Sequence, residues 1–471
     1  MLVSLHHFFS LMTLALFLLI TVRISKIIFF LFLLYVMIVN LMQVNIALHW
    51  GGYTGDLSSR VSVAMQSPQS ETLEYVHEYI GTLDYAMLGF TLGVLILSVV
   101  VLRNYVRPRT NKYIYVVFIA LLAILQNQEP LKTIKYLFST AQMNKAIFAR
   151  SNLIQNYKPL STKEDLGLYD TVVIIQGESA NKSFLGVYNN VMHTTPYLDF
   201  LLHNGSLYCF NALSASNQTR YSVPTTFTNA NVKSWYDGYK KQLSIITDFK
   251  ENGYETYWFS TQGEKGLHED SITSIAREAD VMRFYGDTKE KDLILLEGLK
   301  NTPTKVLKSF YVFHIMGSHF SYDERYPKEE HSLSSGVSYV DKYKKSILFT
   351  DLFIKKLMTY FQEQNKKLLV IYLSDHGEVV SEVKHGHGYF PSYKEEYEIP
   401  FCIYSSIKNP RLDSMYRASK KNIINTENMN YYIKYINGFS DKNNISYATQ
   451  VFSLDPKNII DYRELNKYEN K

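Results

Sequence analysis

Apolar positions are spread unevenly along this chain. Residues 3–22 and 27–47 are almost continuously apolar, and two further runs cover about 84–104 and 112–126. A helix needs about 20 such residues to cross a hydrocarbon core, so the pattern predicts four membrane spans. After about residue 165 the pattern changes, and short apolar runs alternate with longer mixed segments. Thr171–Gln176, Tyr311–Met316, Leu368–Leu373 and Pro400–Tyr404 read as strands buried on both faces, with Thr256–Phe259 as a weaker case. Ser346–Gln364 reads as a helix. Such alternation predicts an α/β fold, a mainly parallel central sheet with helices on both faces.

Charge orients the apolar runs. Arg23 and Lys26 stand between the first pair, and Arg103, Arg107, Arg109 and Lys112 between the second, so both short loops read as cytoplasmic. The loop 48–83 carries Asp56, Glu71, Glu74 and Glu78 against Arg60 and reads as external. By alternation everything after about residue 127 is external as well. A signal peptide at 3–22 is disfavoured, since the run is long, lacks a basic start and is followed by no small-residue cleavage site. Four spans with an external C-terminus require an external N-terminus, a requirement that a fifth helix before Met1 would remove. The expected organisation is a transmembrane domain 1–127, a bridging amphipathic segment 128–164 and an external α/β domain 165–471. Within the bridge, Ile134 to Phe148 suits a helix on the membrane surface. Beyond about 455 the chain is polar and Lys/Asn-rich, which predicts a frayed surface element.

The formal net charge is +5, with no basic block interleaved with aromatics, so no nucleic-acid partner is indicated. Cys209 and Cys402 sit in apolar, strand-like runs, which predicts two buried free thiols rather than a disulfide.

In a parallel sheet, ligands gather where the C-terminal ends of the strands open into a crevice. Reactive residues follow the predicted strands directly: Glu178 in GES, Gln262 and Lys265 in STQGEK, His319 in GSH, and Asp375 with His376 in SDHGE. Glu178, Asp375 and His376 offer carboxylates and one imidazole, a donor set that suits a divalent cation such as zinc. Residues 214–224, SASNQTRYSVP, follow an apolar run and open a helix. A hydroxyl there would face free backbone N–H groups able to bind phosphate oxygens. Metal coordination would activate it as a nucleophile. On these grounds Thr219, Ser216 and Ser222 are equivalent candidates, and each also suits an ordinary helix cap.

GES at 177–179, NQTRYSVP at 217–224, GSHFSYDERYP at 317–327, SDHGE at 374–378 and HGHGY at 385–389 occur in one order along the chain. In that set the chain resembles the bacterial phosphoethanolamine transferases that decorate lipid A and lipopolysaccharide core. The resemblance implies an alkaline-phosphatase/sulfatase-like catalytic domain in the periplasm, behind a multi-pass anchor in the inner membrane. It implies zinc, one ion held tightly with a second as an option. It assigns the nucleophile to Thr219, five residues before Pro224, and the metal to Glu178, Thr219, Asp375 and His376. It makes His319 a contact to the transferred group or to a second zinc. His385 matches a further substrate-binding His, with His387 as its rival; the distance to Pro400 favours His385. Gln262 and Lys265 fall where relatives place polar substrate contacts, Glu71 resembles a Glu that helps bind the donor headgroup, and Ser67 stands near a family Thr. The implied donor is phosphatidylethanolamine, and the acceptor lipid A or lipopolysaccharide core sugar. Phosphoglycerol transfer is the alternative on the same frame. The chain departs from the pattern at Ala215 and Thr225, where many relatives carry a disulfide beside the nucleophile, and at Val63, where an Asn is expected. The segment from His376 to His385 is also short. A sulfatase proper would need Cys or Ser in a Cys-x-Pro-x-Arg context, which neither cysteine has.

Overall fold

The structure is a computed structural model. It describes residues 129–158, 167–264, 270–304, 306–327, 338–364, 366–389, 391–427, 429–440 and 446–469, with four isolated helical positions, Tyr85, Gly89, Gly93 and Ile96. The four predicted membrane spans otherwise lie outside the described residues, as do Glu71, Ser67, Val63 and Lys265. Among the described residues no helix is long and apolar enough to cross a membrane. The chain divides into two compact units, Met1–Ala141 and Gln142–Lys471.

The second unit is built on one seven-stranded sheet. Its strands are β1 (Thr171–Gly177), β2 (Leu207–Cys209), β3 (Glu255–Ser260), β4 (Val281–Phe284), β5 (Ser309–His314), β6 (Leu368–Ser374) and β7 (Phe401–Ser405). Their spatial order is β2-β7-β6-β1-β5-β3-β4. β6, β1, β5, β3 and β4 run parallel. β1 and β6 are buried at every position, which is why both read as unbroken apolar runs. Alternate side chains feed two cores. Val172 and Ile174 enter one layer with Phe227, Trp258 and Ile371. Val173 and Ile175 enter the other with Phe313, Phe353 and Tyr372. The sheet is thus covered on both faces, by helices that include Thr219–Phe227 on the first side and Tyr339–Gln362 on the second.

Two expectations need correction. The run at 400–404 forms β7, which pairs antiparallel with β6 and with β2. That reversal sets Cys402 directly opposite Cys209, and the two form a disulfide with their Cα atoms 4.2 Å apart. Facing positions on paired strands bring the two β-carbons within bonding reach, so the thiols are not free. The C-terminal stretch is not frayed either. Gln450–Phe452 pairs antiparallel with Ile459–Asp461, and Tyr462 is buried. The helix Glu129–Asn156 occupies the predicted bridge, and in its second half Met143, Ala146 and Arg150 are buried in protein.

Candidate active site

Because β1, β3, β5 and β6 are parallel neighbours, their C-terminal ends open on one edge of the sheet. Glu178 follows β1, Gln262 follows β3, His319 follows β5, and Asp375 with His376 follow β6. The loops lock onto one another through the backbone: Asp375 N–H donates to the Gly177 carbonyl (3.1 Å) and Ser318 N–H to the Glu178 carbonyl (3.0 Å). Gly317 adopts φ +52°, and a β-carbon there would press to 3.0 Å of the Glu178 backbone. Only a residue without a side chain lets the His319 loop approach so closely.

Thr219 opens the helix Thr219–Phe227. This helix contains Pro224, whose missing N–H cannot bond the Arg220 carbonyl. The Ser271 hydroxyl donates to that carbonyl instead, at 3.0 Å. The Thr219 side chain therefore sits at the positive end of a short, well-supported helix. Its Oγ1 lies 3.4 Å from both Glu178 carboxylate oxygens and 3.2 Å from His376 Nε2. Ser216 and Ser222 point elsewhere: the Ser216 hydroxyl accepts from Gln218 N–H, and Ser222 donates to the Thr219 carbonyl.

Glu178, Asp375 and His376 are all buried. His376 Nε2 stands 3.3 Å from Glu178 Oε1 and 3.2 Å from Asp375 Oδ2. The opposite ring atom, Nδ1, faces the Gly377 carbonyl at 2.9 Å. A carbonyl only accepts, so Nδ1 carries a proton, and in its neutral form the ring presents the Nε2 lone pair inward. Asp375 Oδ1 accepts from the N–H groups of Ser179 (3.0 Å) and His376 (2.7 Å), whereas Oδ2 is buried without a hydrogen-bond donor. Four electron-rich atoms thus converge with one orphaned oxygen among them. The residues present fit a divalent cation, held by Glu178, Asp375, His376 and Thr219.

Taken alone, the trio balances its charge with protons. Burial by itself would raise Glu178, but the hydrogen bond and charge of His376 hold its carboxyl well below the usual range. Burial, then the charge of Glu178, pushes Asp375 up to about 8. His376 is drawn up to about 10: burial opposes this, and the charges of Asp375 and Glu178 overcome it.

A second buried carboxylate adjoins the trio. Glu378 accepts from the Tyr322 hydroxyl (2.8 Å) and pairs with His387 Nδ1 (2.9 Å). Burial pushes its carboxyl up to about 8. The ring of His387 lies 3.9 Å from that of His376 and 6.4 Å from that of His319, centroid to centroid. His376, Glu378 and His387 form a second group with metal-ligand spacing. His385, the residue favoured by spacing, stacks on Tyr339 at 3.6 Å instead.

Three further carboxylates and amides shape the site and were missed in the sequence. Asp292 accepts from Met316 N–H, Gly317 N–H and the Thr261 hydroxyl, fixing the His319 loop. Glu396 accepts from Asn217, Gly388 N–H, Tyr389 N–H and Tyr393 N–H. It thereby ties the nucleophile segment to the His387 loop. Asn217 also accepts from Leu454 N–H, which adds the C-terminal stretch to the same knot.

The sulfatase family pattern matches residues 170–431, more than half of the chain. Phosphoethanolamine transferase OpgE of Escherichia coli is 28% identical over 255 residues, 50% of this chain and 46% of that protein. The chain spans about half the length of the curated relatives it matches. Among solved structures, the C-terminal periplasmic domain of Escherichia coli EptC in complex with Zn aligns with a TM-score of 0.54 at 21% identity, covering 66% of this chain and 96% of that domain. The integral membrane protein lipooligosaccharide phosphoethanolamine transferase A from Neisseria meningitidis aligns with a TM-score of 0.61 at 17% identity, covering 88% of this chain and 84% of that one. At these identities the structural likeness concerns the fold.

Proposed function

The chain belongs to the sulfatase family, and on that footing we propose that it transfers phosphoethanolamine from phosphatidylethanolamine to a lipid A or lipopolysaccharide acceptor. The observation that carries this reading is the convergence of the Thr219 hydroxyl on Glu178 and His376, beside the orphaned Asp375 oxygen. The names of curated relatives, including a Kdo(2)-lipid A phosphoethanolamine transferase of Salmonella typhimurium, support the transferred group and the acceptor class.

Thr219 Oγ attacks the donor phosphorus. The new Oγ–P bond replaces the bond to the diacylglycerol oxygen, which leaves after taking a proton. A phosphoethanolamine-threonine intermediate remains, and an acceptor oxygen displaces Thr219 in a second, equivalent step. A bound zinc ion would supply Lewis acidity, lowering the pKa of the hydroxyl and offsetting phosphoryl charge. Glu178, held as a carboxylate, orients the Thr219 hydroxyl. The helix N-terminus at Thr219 offers its dipole to the phosphoryl oxygens. Glu378 fixes the His387 ring through Nδ1, and the His319 ring lies 6.4 Å from it. In this reading the two imidazoles supply the leaving-group proton. Glu71 and Lys265 complete this reading as donor contacts, within a multi-pass inner-membrane anchor and a periplasmic site. Such an anchor keeps the nucleophile within reach of two lipids.

Mass spectrometry of envelope lipids from cells expressing wild type or Thr219→Ala tests the proposal. A lipid should gain phosphoethanolamine in wild type alone. No such species would sink the reading, and a gained phosphoglycerol would replace the donor.

A further inference from the structure

We propose that Gln262 is a positioning residue for the Glu178 carboxylate, its amide nitrogen committed there rather than to a phosphate oxygen of the donor. The inference rests on the reading of Glu178 as a metal ligand.

Gln262 is 9% exposed, behind the Glu178 carboxylate. Its Nε2 donates to Glu178 Oε2 at 3.2 Å and to the Ile315 carbonyl at 3.0 Å. Both neighbours can only accept. The amide must therefore turn its nitrogen toward them, whichever way the group is built. An amide nitrogen carries two hydrogens, and both are committed. No N–H of this side chain is left to hold a substrate oxygen.

The backbone of Gln262 is equally fixed. Its N–H donates to the Ser260 hydroxyl at 3.0 Å, and that hydroxyl meets His314 Nδ1 at 3.1 Å. Thr261 N–H donates to the His314 carbonyl at 3.0 Å. Gln176, His314 and Ser260 are register partners on β1, β5 and β3, so this support is a single row across the sheet. His314 is buried in that row against Trp258. Gln262 reaches Glu178 from a platform that side-chain rotation cannot move.

The carboxylate is gripped from its other end too. The Ser179 hydroxyl donates to Glu178 Oε1 at 2.9 Å. Two neutral donors hold the two oxygens, while the remaining lone pairs face Thr219 and His376. Neutrality matters here. A Lys or Arg in place of Gln262 would fix the carboxylate equally well but cancel the charge that a cation requires. Donors of this kind around a ligating carboxylate set its orientation, and their loss costs about 10–100-fold in metal affinity.

The test uses the purified full chain with Gln262→Met, which keeps the shape and removes both donors. Gln262→Asn, which keeps the amide but is too short to span, serves if the first variant does not fold. Zinc affinity is measured by competition with a chromophoric chelator, and KM for phosphatidylethanolamine in mixed micelles at saturating zinc. We expect zinc affinity to fall by about 10–100-fold, with KM within about twofold of wild type and the chelated protein still folding cooperatively, its Tm lowered by the loss of two buried hydrogen bonds. Wild-type zinc affinity in the variant overturns the inference. So does a KM raised about tenfold at saturating zinc, whatever the affinity does, since that is the mark of a lost substrate contact. The zinc arm needs no turnover, so a chain that transfers nothing would defeat the proposed reaction and leave this inference to be decided by the titration. A wild-type chain that binds no zinc would end it.

Discussion

Arg150 and Glu278 form one buried cluster of charge, and Glu178, Asp375 and His376 another, but the two are completed differently. Arg150 donates to Glu278 Oε1 and, through its other terminal nitrogen, to the carbonyls of Tyr239 (2.8 Å) and Gln242 (3.0 Å). Glu278 Oε2 accepts from Ser244 N–H (2.7 Å), the Ser244 hydroxyl (2.7 Å) and the Thr247 hydroxyl (2.8 Å). Opposite charges meet and both Glu278 oxygens are matched, so the charge is answered although the Arg150 Nε hydrogen is left over. The trio at the sheet edge has two carboxylates for one imidazole and keeps Asp375 Oδ2 without a donor. Burial alone therefore does not mark a functional cluster. What marks it is a charge and a lone pair that the chain does not answer from its own side chains.

The contrast can be broken most severely at the balanced end. Arg150→Ala should cost about 3–5 kcal/mol of stability by stranding Glu278, read as a lowered midpoint in urea unfolding. Should the midpoint hold, the pair is not a closed unit. Zinc should act on the other cluster only. At a free concentration of 100 times its Kd it should stabilise the chain by about 2.7 kcal/mol, seen as a raised Tm, and Asp375→Asn should lose most of that gain while Arg150→Ala keeps it.

A smaller effect separates the clusters by pH. In the chelated protein Asp375 and Glu378 are both raised, to about 8, so the folded chain retains protons that the unfolded chain has released. Their contribution is complete below the ordinary carboxylate range and is lost as pH rises toward about 8. The Tm of chelated protein should fall over that window, and the fall should flatten once zinc takes the place of the protons. Glu178 runs the other way, its contribution fading only in acid. Smallest should be Ser179→Ala, worth about 1.5 kcal/mol for one hydrogen bond to a charged oxygen, measured as the change in Tm of the loaded protein.

Much of this was readable before any fold was known, for identifiable reasons. Runs such as Thr171–Gln176 and Leu368–Leu373 announce themselves because parallel strands are buried on both faces. Reactive residues just past those runs converge because parallel strands end on one edge. The reversal of β7 gave no such signal, since Phe401–Ser405 is as apolar as its parallel neighbours, and the disulfide depended on that reversal. Glu396 lies in Lys-Glu-Glu-Tyr-Glu, a string that resembles a solvated surface until its four donors are seen. Spacing to Pro400 favours His385, whereas it is His387 that meets Glu378. Residues two apart share a face in a regular strand, but Gly386 at φ +110° breaks the alternation between them.

The bridge between Cys209 and Cys402 has a consequence for biogenesis. Its cysteines are separated by 193 positions and are the two that the sequence contains. As the chain emerges from its N-terminal end, Cys209 waits with an open thiol while most of the catalytic unit follows. No incorrect pairing within this sequence is available to it. Among these residues the bridge needs an electron acceptor but no shuffling step, and the waiting thiol is open to other thiols that it meets.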